Sequence, residues 1–265
     1  PKALTQWEAF VRRVVADLGD LVDLWVTLNE PMVPILAGYL VGYHPPCKRN
    51  PWQAAGVFQA LLRAHVIAYQ VIPEALTYSP SGGPVMAGCA GAYQYVEPFH
   101  ESGFWRTLET PLAAIIRRVS FDAWDRSILS GCISTPFGRG QRIDGLQGST
   151  DFVGVNYYMR ISARLGPGTL SNVKVGEYAT PDGIETTEMG WQVYPPGLYN
   201  VLMDLTRRFQ KPLYITENGC CDSGDEMRRR YLLTHWAQMQ RAIQDGCDLR
   251  GYMLWTFIDN FEWRE

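Results

Sequence analysis

The sequence predicts an α/β fold in which parallel strands alternate with helices. Apolar segments of strand length are separated by amphipathic helical stretches along the chain, a pattern that favours parallel pairing with right-handed crossovers. Two of these strands also end in a glutamate followed by turn residues. With 265 residues, of which 46% are apolar, the chain can bury one sizeable core, so a single domain over residues 1–265 is expected.

Five strands are predicted, each a short apolar segment bounded by turn residues. A chain of about 250 residues would suit a complete eight-stranded barrel, but five strands cannot close such a ring. The sequence therefore predicts part of a barrel. The five segments are 21–28, 84–95, 152–158, 213–216 and 252–257.

Five helices are predicted from apolar residues at helical spacing. Gly19 ends the first helix and Pro195 opens the fourth, which are positions that these residue types favour. The third helix is expected to break at Pro111. The Gly-, Pro- and Thr-rich segment 166–190 is expected to form a loop over the carboxyl end of a strand, where barrels hold substrate. The helices span 1–18, 51–76, 104–129, 195–209 and 225–244.

Composition and charge exclude several classes of function. The net charge is −3, from 24 basic and 27 acidic residues, and no basic cluster is longer than 228–230, so no nucleic-acid partner is expected. No segment approaches the roughly 18 uncharged apolar residues of a membrane span. The first ten residues, PKALTQWEAF, lack the charged-then-apolar pattern of a secretion signal. A cytoplasmic protein without a membrane partner is therefore expected.

Cysteine and histidine spacing gives no sign of a metal or cofactor site. The six cysteines are scattered without CxxC spacing, and the four histidines lack metal-ligand spacing. Free thiols are therefore expected, with no metal and no cofactor. His65 lies on the apolar stripe of the second predicted helix and is expected to be a satisfied structural residue.

Two glutamates follow predicted strands. In YITENG, residues 214–219, an apolar strand runs into Glu217, and in LWVTLNEP, residues 24–31, another runs into Glu30. Barrel enzymes hold their catalytic groups at these carboxyl ends, and a pair of carboxyl groups about 5 to 5.5 Å apart can hydrolyse a glycosidic bond with retention of configuration. Either segment alone is also consistent with turn chemistry at a strand-to-loop junction.

The set of motifs resembles glycoside hydrolase family 1, the retaining β-glucosidase and β-galactosidase family. The motifs NYY, residues 156–158, and WTFIDNFEW, residues 255–263, complete the pattern, which runs in order along the whole chain. The resemblance implies a (β/α)8 TIM-barrel fold, with TLNEP on its fourth strand, YITENG on the seventh and DNFEW on the eighth. About five of the eight βα units are therefore expected in this chain, beginning on the helix after the third strand.

The resemblance also assigns catalytic roles. Glu30 matches the acid/base and Glu217 the nucleophile of a double displacement on a terminal β-linked sugar. Asn29 matches the amide that binds the sugar 2-hydroxyl, and Tyr158 matches a tyrosine whose hydroxyl contacts the nucleophile. Asn156 resembles a further active-site amide. The alternatives from the residues themselves are a turn-stabilising Asn29 and a Tyr158 that caps a buried strand.

Four further residues resemble sugar-binding positions of the family. Trp255 is expected to point inward, while Glu262 and Trp263 resemble the pair that holds the outer hydroxyls of the sugar. Trp191, in EMGW, resembles the tryptophan beside the leaving group, although a surface-packing role is the alternative. The family usually has Ser after the first of these tryptophans, and this chain has Thr256.

The first three strands of the family barrel have no counterpart here. Those strands provide a Gln, an Arg and a His-Trp pair that bind the glycone or the nucleophile, so self-association or a complementing barrel segment is expected. The leading interpretation is a retaining β-glycosidase, and the alternatives are a catalytically weak carbohydrate-binding relative and a partial barrel kept for assembly. Glucose, galactose and fucose are the expected glycones.

Overall fold

The chain divides into two compact units in a computed structural model that describes residues 2–76, 80–165, 180–258 and 260. One unit comprises Pro1–Gly91 and Phe121–Gly154, and the other comprises Ala92–Ser120 and Val155–Glu265. We call them the first and second units. The division into compact units does not test whether the chain is one domain, so the single domain over residues 1–265 stays a prediction.

The described residues contain the five predicted strands, with boundaries shifted by at most three residues. Two short strands, the third and the fifth, were not predicted, because segments of four residues show too little periodicity. The strands are β1 (Leu24–Asn29), β2 (Met86–Ala92), β3 (Tyr95–Pro98), β4 (Phe152–Asn156), β5 (Arg160–Ala163), β6 (Leu213–Asn218) and β7 (Leu249–Leu254).

Parallel pairing, as predicted, connects the strands. β1 pairs with β2, Leu24 lying opposite Met86, and β6 pairs with β7, Leu213 lying opposite Leu249. The strand order is β1-β2-β4 in the first unit and β4-β6-β7 in the second, because β4 runs from one unit into the other. β1 and β7 are the end strands of these two orders. β3 and β5 form a separate parallel pair in the second unit.

The helices also follow the prediction, except at Pro111 and in a π-helical segment, Pro34–Leu40, that was not predicted. Pro111 lies inside the third helix, and the interruption is instead a π-helical segment, Arg118–Asp122. Pro111 and Thr107 are exposed, so the Thr107 carbonyl that loses its backbone donor can bind water instead. The helices are α1 (Lys2–Leu18), α2 (Pro51–Ala75), α3 (Gly103–Arg117), α4 (Ala123–Ser130), α5 (Pro195–Phe209) and α6 (Glu226–Gln244).

α2 forms the core of the first unit. Its start is defined by Asn50, whose side chain accepts hydrogen bonds from the backbone N–H groups of Trp52 and Gln53. By length and composition alone, this helix could cross a membrane. Its buried Val71 and Ile72 pack with Val15 of α1, which is the packing of a core helix.

His65 of α2 is fully buried and hydrogen-bonded, which confirms the expectation of a satisfied structural residue. Its Nε2 lies 2.8 Å from the Ser149 carbonyl oxygen, and its Nδ1 lies 2.6 Å from Thr27 Oγ1. Because a carbonyl oxygen can only accept, Nε2 carries the proton and donates it. All three residues belong to the first unit.

We expect the buried histidines to make stability fall in mild acid. Burial lowers the pKa of His65 from 6.5 to about 4, and that of His235 likewise to about 4. Between those values the unfolded chain binds protons that the folded chain excludes, so the free energy of unfolding decreases as the pH falls from about 6.5 to about 4. Each histidine contributes a slope of up to about 1.4 kcal/mol per pH unit.

Urea denaturation at a series of pH values measures this slope. The variant His65→Asn should lose the His65 share of this slope, up to about 1.4 kcal/mol per pH unit, and keep the share of His235. A slope that is unchanged in His65→Asn would show that the acid sensitivity has another source.

Candidate active site

The end of β6 holds Glu217 in a defined position. Leu213 and Ile215 of this strand are buried, and Glu217 is half-buried near the strand's carboxyl end. The hydroxyl of Tyr158 donates a hydrogen bond to Glu217 Oε2 over 2.6 Å, and the backbone N–H of Tyr157 donates to the Glu217 carbonyl oxygen over 3.0 Å. The segment that follows β4 is therefore fixed to the end of β6 through both the side chain and the backbone of Glu217.

Asn156 lies beside this pair. It is the last residue of β4 and is fully buried, and its Oδ1 accepts a hydrogen bond from the Thr216 hydroxyl over 2.5 Å. Thr216 directly precedes Glu217, so the side chains of Asn156 and Tyr158 contact consecutive residues of β6. The structure therefore brings Asn156, Tyr158 and Glu217 together in the second unit.

Trp191 also lies next to Tyr158. The two rings meet edge to face with centroids 5.4 Å apart, and the backbone N–H of Trp191 donates to Thr187 Oγ1 over 3.2 Å. The indole is half-buried, so part of its face is open to solvent. Of the loop predicted over 166–190, residues 166–179 lie outside the described residues, and 180–190 lack helix and extended strand.

Trp255 follows the last residue of β7 and is 39% exposed. Its backbone N–H donates to the carbonyl oxygen of Asn218 over 3.1 Å, which connects it to the residue after Glu217. The predicted sugar-binding pair Glu262 and Trp263 lies outside the described residues.

The first unit contains Glu30 and Asn29. Asn29 is the exposed last residue of β1, and Glu30 follows it, half-buried. The backbone of Glu30 adopts a φ of 48°, which is uncommon for a residue with a side chain and is often found at functional positions. Its N–H donates to the Ala90 carbonyl oxygen over 2.8 Å, and its own carbonyl oxygen accepts from Val33 N–H over 2.9 Å. These bonds hold the unusual conformation in place.

Two residues around Glu217 have contacts that the sequence did not reveal. Asn218 is fully buried, and its Nδ2 donates to the Tyr157 carbonyl oxygen over 2.7 Å and to the hydroxyl of Tyr231 over 3.1 Å. Tyr231 lies on α6, where a buried tyrosine resembles ordinary core packing in the sequence. The only available signal was its spacing of four residues from His235, a second polar residue on the same buried face.

Gly219 allows the end of β6 to approach Trp255. A Cβ at position 219 would overlap the carbonyl oxygen of Trp255, so the glycine of YITENG is explained by this close backbone contact. We expect Gly219→Ala to lower the free energy of unfolding by about 1 to 3 kcal/mol, as overpacking typically does. Gly224→Ala is the matched control, since a Cβ there would meet its nearest atom, Asp222 Oδ1, at an ordinary 3.9 Å. Equal losses in urea denaturation of both variants would contradict this explanation.

The described residues contain no cluster of three or more His, Cys, Asp or Glu side chains that could hold a metal ion. All six cysteines are free. The second unit thus holds a strand-end carboxylate with hydroxyl, amide and indole neighbours, and the first unit holds a strand-end carboxyl group in a strained conformation.

Comparisons with known proteins identify the relatives of this chain. A family model described as Glycosyl hydrolase family 1 matches residues 1–265. Beta-glucosidase A of Thermotoga maritima is 30% identical over 294 residues, which cover 100% of this chain and 61% of that protein.

Solved structures of related glycosidases also match this chain. A beta-glycosidase from Pyrococcus horikoshii matches with a TM-score of 0.81 at 33% identity, covering 99% of this chain and 57% of that one. A Thermotoga maritima beta-glucosidase in complex with galacto-hydroximolactam matches with a TM-score of 0.81 at 28% identity, covering 99% and 60%. The chain thus spans 57 to 61% of the length of these relatives. The predicted fold class, the (β/α)8 TIM-barrel type of which this chain represents a part, is confirmed.

Proposed function

Because the chain belongs to glycosyl hydrolase family 1, we propose that it is the part of a retaining β-glycosidase that provides both catalytic carboxyl groups. The observation that supports this proposal most directly is the hydrogen bond from the Tyr158 hydroxyl to Glu217 Oε2, 2.6 Å long, at the carboxyl end of β6. A hydroxyl donor stabilises a carboxylate, which is the form that a nucleophile needs. The hydrogen bond also orients the carboxylate before substrate arrives.

In the proposed first step, Glu217 attacks the anomeric carbon. The bond from that carbon to the leaving-group oxygen breaks, and the carboxyl group of Glu30 gives its proton to the departing oxygen. The products are a glycosyl ester on Glu217, a carboxylate on Glu30 and the free alcohol. Since Tyr158 engages Oε2, we expect Oε1 of Glu217 to form the ester bond.

In the second step, Glu30 acts as a base. Its carboxylate takes a proton from a water molecule, which attacks the anomeric carbon and displaces Glu217. Two inversions at one carbon leave the sugar in its original β configuration. Glu30 regains its proton and Glu217 its charge, so both residues are ready for another turnover.

The proposed substrate is a terminal β-linked sugar. Asn29 and Asn156 would provide amide hydrogen bonds to its hydroxyls, Trp191 would flank the leaving group, and Trp255 would contact the sugar face. Glu262 and Trp263 are proposed to hold the outer hydroxyls on the strength of the sequence resemblance. Glucosides and galactosides both fall within this proposal, because a related beta-glucosidase has been solved with galacto-hydroximolactam.

We also propose a cytoplasmic location.

The proposal includes a complement for the end strands β1 and β7, either a barrel segment or a further copy of the chain. Val26 of β1 is 44% exposed, and Leu254 of β7 is 43% exposed, and such apolar edges favour pairing. The length comparison supports the same idea, because the relatives are longer than this chain.

We therefore expect the 265 residues alone to self-associate and to hydrolyse β-glucosides weakly or not at all. Each missing buried hydrogen bond to a charged group costs about 1.5 to 3 kcal/mol, so three or four of them remove several powers of ten in rate. Light scattering and a nitrophenyl β-glucoside assay test this, before and after addition of a polypeptide with the first three strands of Beta-glucosidase A of Thermotoga maritima. Turnover should rise on addition.

Two outcomes would overturn parts of the proposal. A monodisperse monomer with kcat between about 1 and 1,000 per second would show that no complement is needed. Binding of a sugar mimic by calorimetry without turnover, in both the isolated and the complemented protein, would favour the alternative of a carbohydrate-binding relative.

A further inference from the structure

Tyr231 occupies a central place behind Glu217 in the second unit. Its side chain extends from α6, is fully buried, and uses its hydroxyl twice. The hydroxyl donates to the carbonyl oxygen of Tyr158 over 2.9 Å and accepts from Nδ2 of Asn218 over 3.1 Å. One hydroxyl therefore joins the segment that follows β4 to the end of β6.

The two residues that Tyr231 joins are the immediate neighbours of Glu217. Asn218 follows Glu217 in the chain, and Tyr158 donates its own hydroxyl hydrogen bond to Glu217 Oε2. Asn218 also donates to the carbonyl oxygen of Tyr157 over 2.7 Å, and the Tyr252 hydroxyl donates to Asn218 Oδ1 over 3.2 Å. Without the Tyr231 hydroxyl, the Tyr158 carbonyl and one Asn218 donor would lose a buried partner.

The ring of Tyr231 is itself held firmly. It stacks on His235 with centroids 3.8 Å apart and planes 23° apart, and His235 Nδ1 donates to the Tyr231 carbonyl oxygen over 2.7 Å. His235 is fully buried as well, so water has little access to replace the Tyr231 hydrogen bonds. Because the ring is fixed, its hydroxyl holds the Tyr158 carbonyl oxygen and Asn218 Nδ2 in fixed positions.

We propose that Tyr231 is a positioning residue for Glu217, which sets the place of the Tyr158 hydroxyl relative to the Glu217 carboxylate. This role rests on the proposed function, because Tyr231 matters for hydrolysis only if Glu217 is the nucleophile. The competing interpretation is that Tyr231 only fills the core between α6 and the strands. The two interpretations differ in what happens at Glu217 when the hydroxyl alone is removed.

The test is a direct titration of Glu217 by NMR in protein labelled with [5-¹³C]glutamate, with the signal assigned through Glu217→Gln. In Tyr158→Phe the carboxylate loses its donor, so the pKa of Glu217 should rise. In Tyr231→Phe the donor is displaced rather than lost, so a smaller rise in the pKa of Glu217 is expected. Tyr199→Phe is the matched control, since its hydroxyl donates to Asp245 on the surface of the same unit. It should leave the Glu217 titration unchanged.

An unchanged Glu217 titration in folded Tyr231→Phe, together with a rise in Tyr158→Phe, would overturn the inference and leave Tyr231 as a core residue. If Tyr231→Phe does not fold, the unsubstituted protein can still overturn the inference through hydrogen exchange. The side-chain amide protons of Asn218 should then exchange slowly with solvent, and rapid exchange would overturn the inference.

The titration needs no turnover, which separates this inference from the proposed function. A raised pKa in Tyr231→Phe, in a protein that never forms a glycosyl ester on Glu217, would support the positioning role and reject the nucleophile. A glycosyl ester on Glu217, together with an unchanged pKa of Glu217 in Tyr231→Phe, would support the nucleophile and reject the positioning role.

Discussion

Replacing Glu217 by alanine should reduce the hydrolysis of β-glycosides by the assembled protein on the order of 10⁴-fold or more, because the variant cannot form the glycosyl ester. The side chain is half-buried, and its Oε2 already accepts the Tyr158 hydroxyl, so truncation leaves a space lined by a hydrogen-bond donor. Azide can enter that space and attack the anomeric carbon from the face that Glu217 used.

The configuration of the azide product identifies the role. A single displacement from the side of Glu217 gives the α-glycosyl azide from a β-glycoside with an activated leaving group. Glu226→Ala is the control, since Glu226 is an exposed carboxylate at the start of α6 in the same unit. Substantial residual hydrolysis in Glu217→Ala, or a loss of equal size in Glu226→Ala, would contradict the assignment.

Replacing Glu30 by alanine should have a smaller and more selective effect. General acid catalysis contributes about 10² to 10⁴-fold, and it matters only where the leaving group needs a proton. The first step should therefore slow much less for a dinitrophenyl glycoside than for an alkyl glycoside. Added azide should accelerate turnover of the activated substrate and give the β-glycosyl azide, because it attacks the ester on Glu217 from the opposite face.

Glu74→Ala provides the comparison for this variant, because Glu74 is an exposed carboxylate of the first unit that pairs with Arg12. It should leave both substrates and the azide response unchanged. Equal rate losses for the two leaving groups in Glu30→Ala, without acceleration by azide, would argue against the acid/base role. Opposite azide anomers from Glu30→Ala and Glu217→Ala would distinguish the two glutamates in one product analysis.

The sequence predicted the strands well because buried parallel strands are short apolar runs. β4, with five buried residues, begins at the predicted residue, whereas β7 begins three residues earlier than predicted. β7 is an end strand, and its exposed Arg250 interrupts the apolar pattern near its start. The prediction from apolar residues therefore began after Arg250, three residues too late. The predicted break at Pro111 was wrong because an exposed proline need not interrupt a helix.

The candidate site was predictable where the residues form local motifs. Glu30 could be proposed from sequence because it directly follows β1, Glu217 because it is the next-to-last residue of β6, and Tyr158 because it belongs to a short motif at the end of β4. Tyr231 was not found, since its contacts with Tyr158 and Asn218 bridge 73 and 13 residues, and nothing in the local sequence of a helix reveals them. Glu262 and Trp263 rest on the sequence resemblance alone.

The most direct test of the proposed mechanism is the identity of the residue that becomes glycosylated. A 2-deoxy-2-fluoro β-glucoside with a good leaving group slows the breakdown of the ester, so the intermediate accumulates and can be located by peptide mass mapping. We expect one sugar per active chain, attached to the peptide that contains Glu217. Labelling of a different residue would contradict the assignment of Glu217 as the nucleophile.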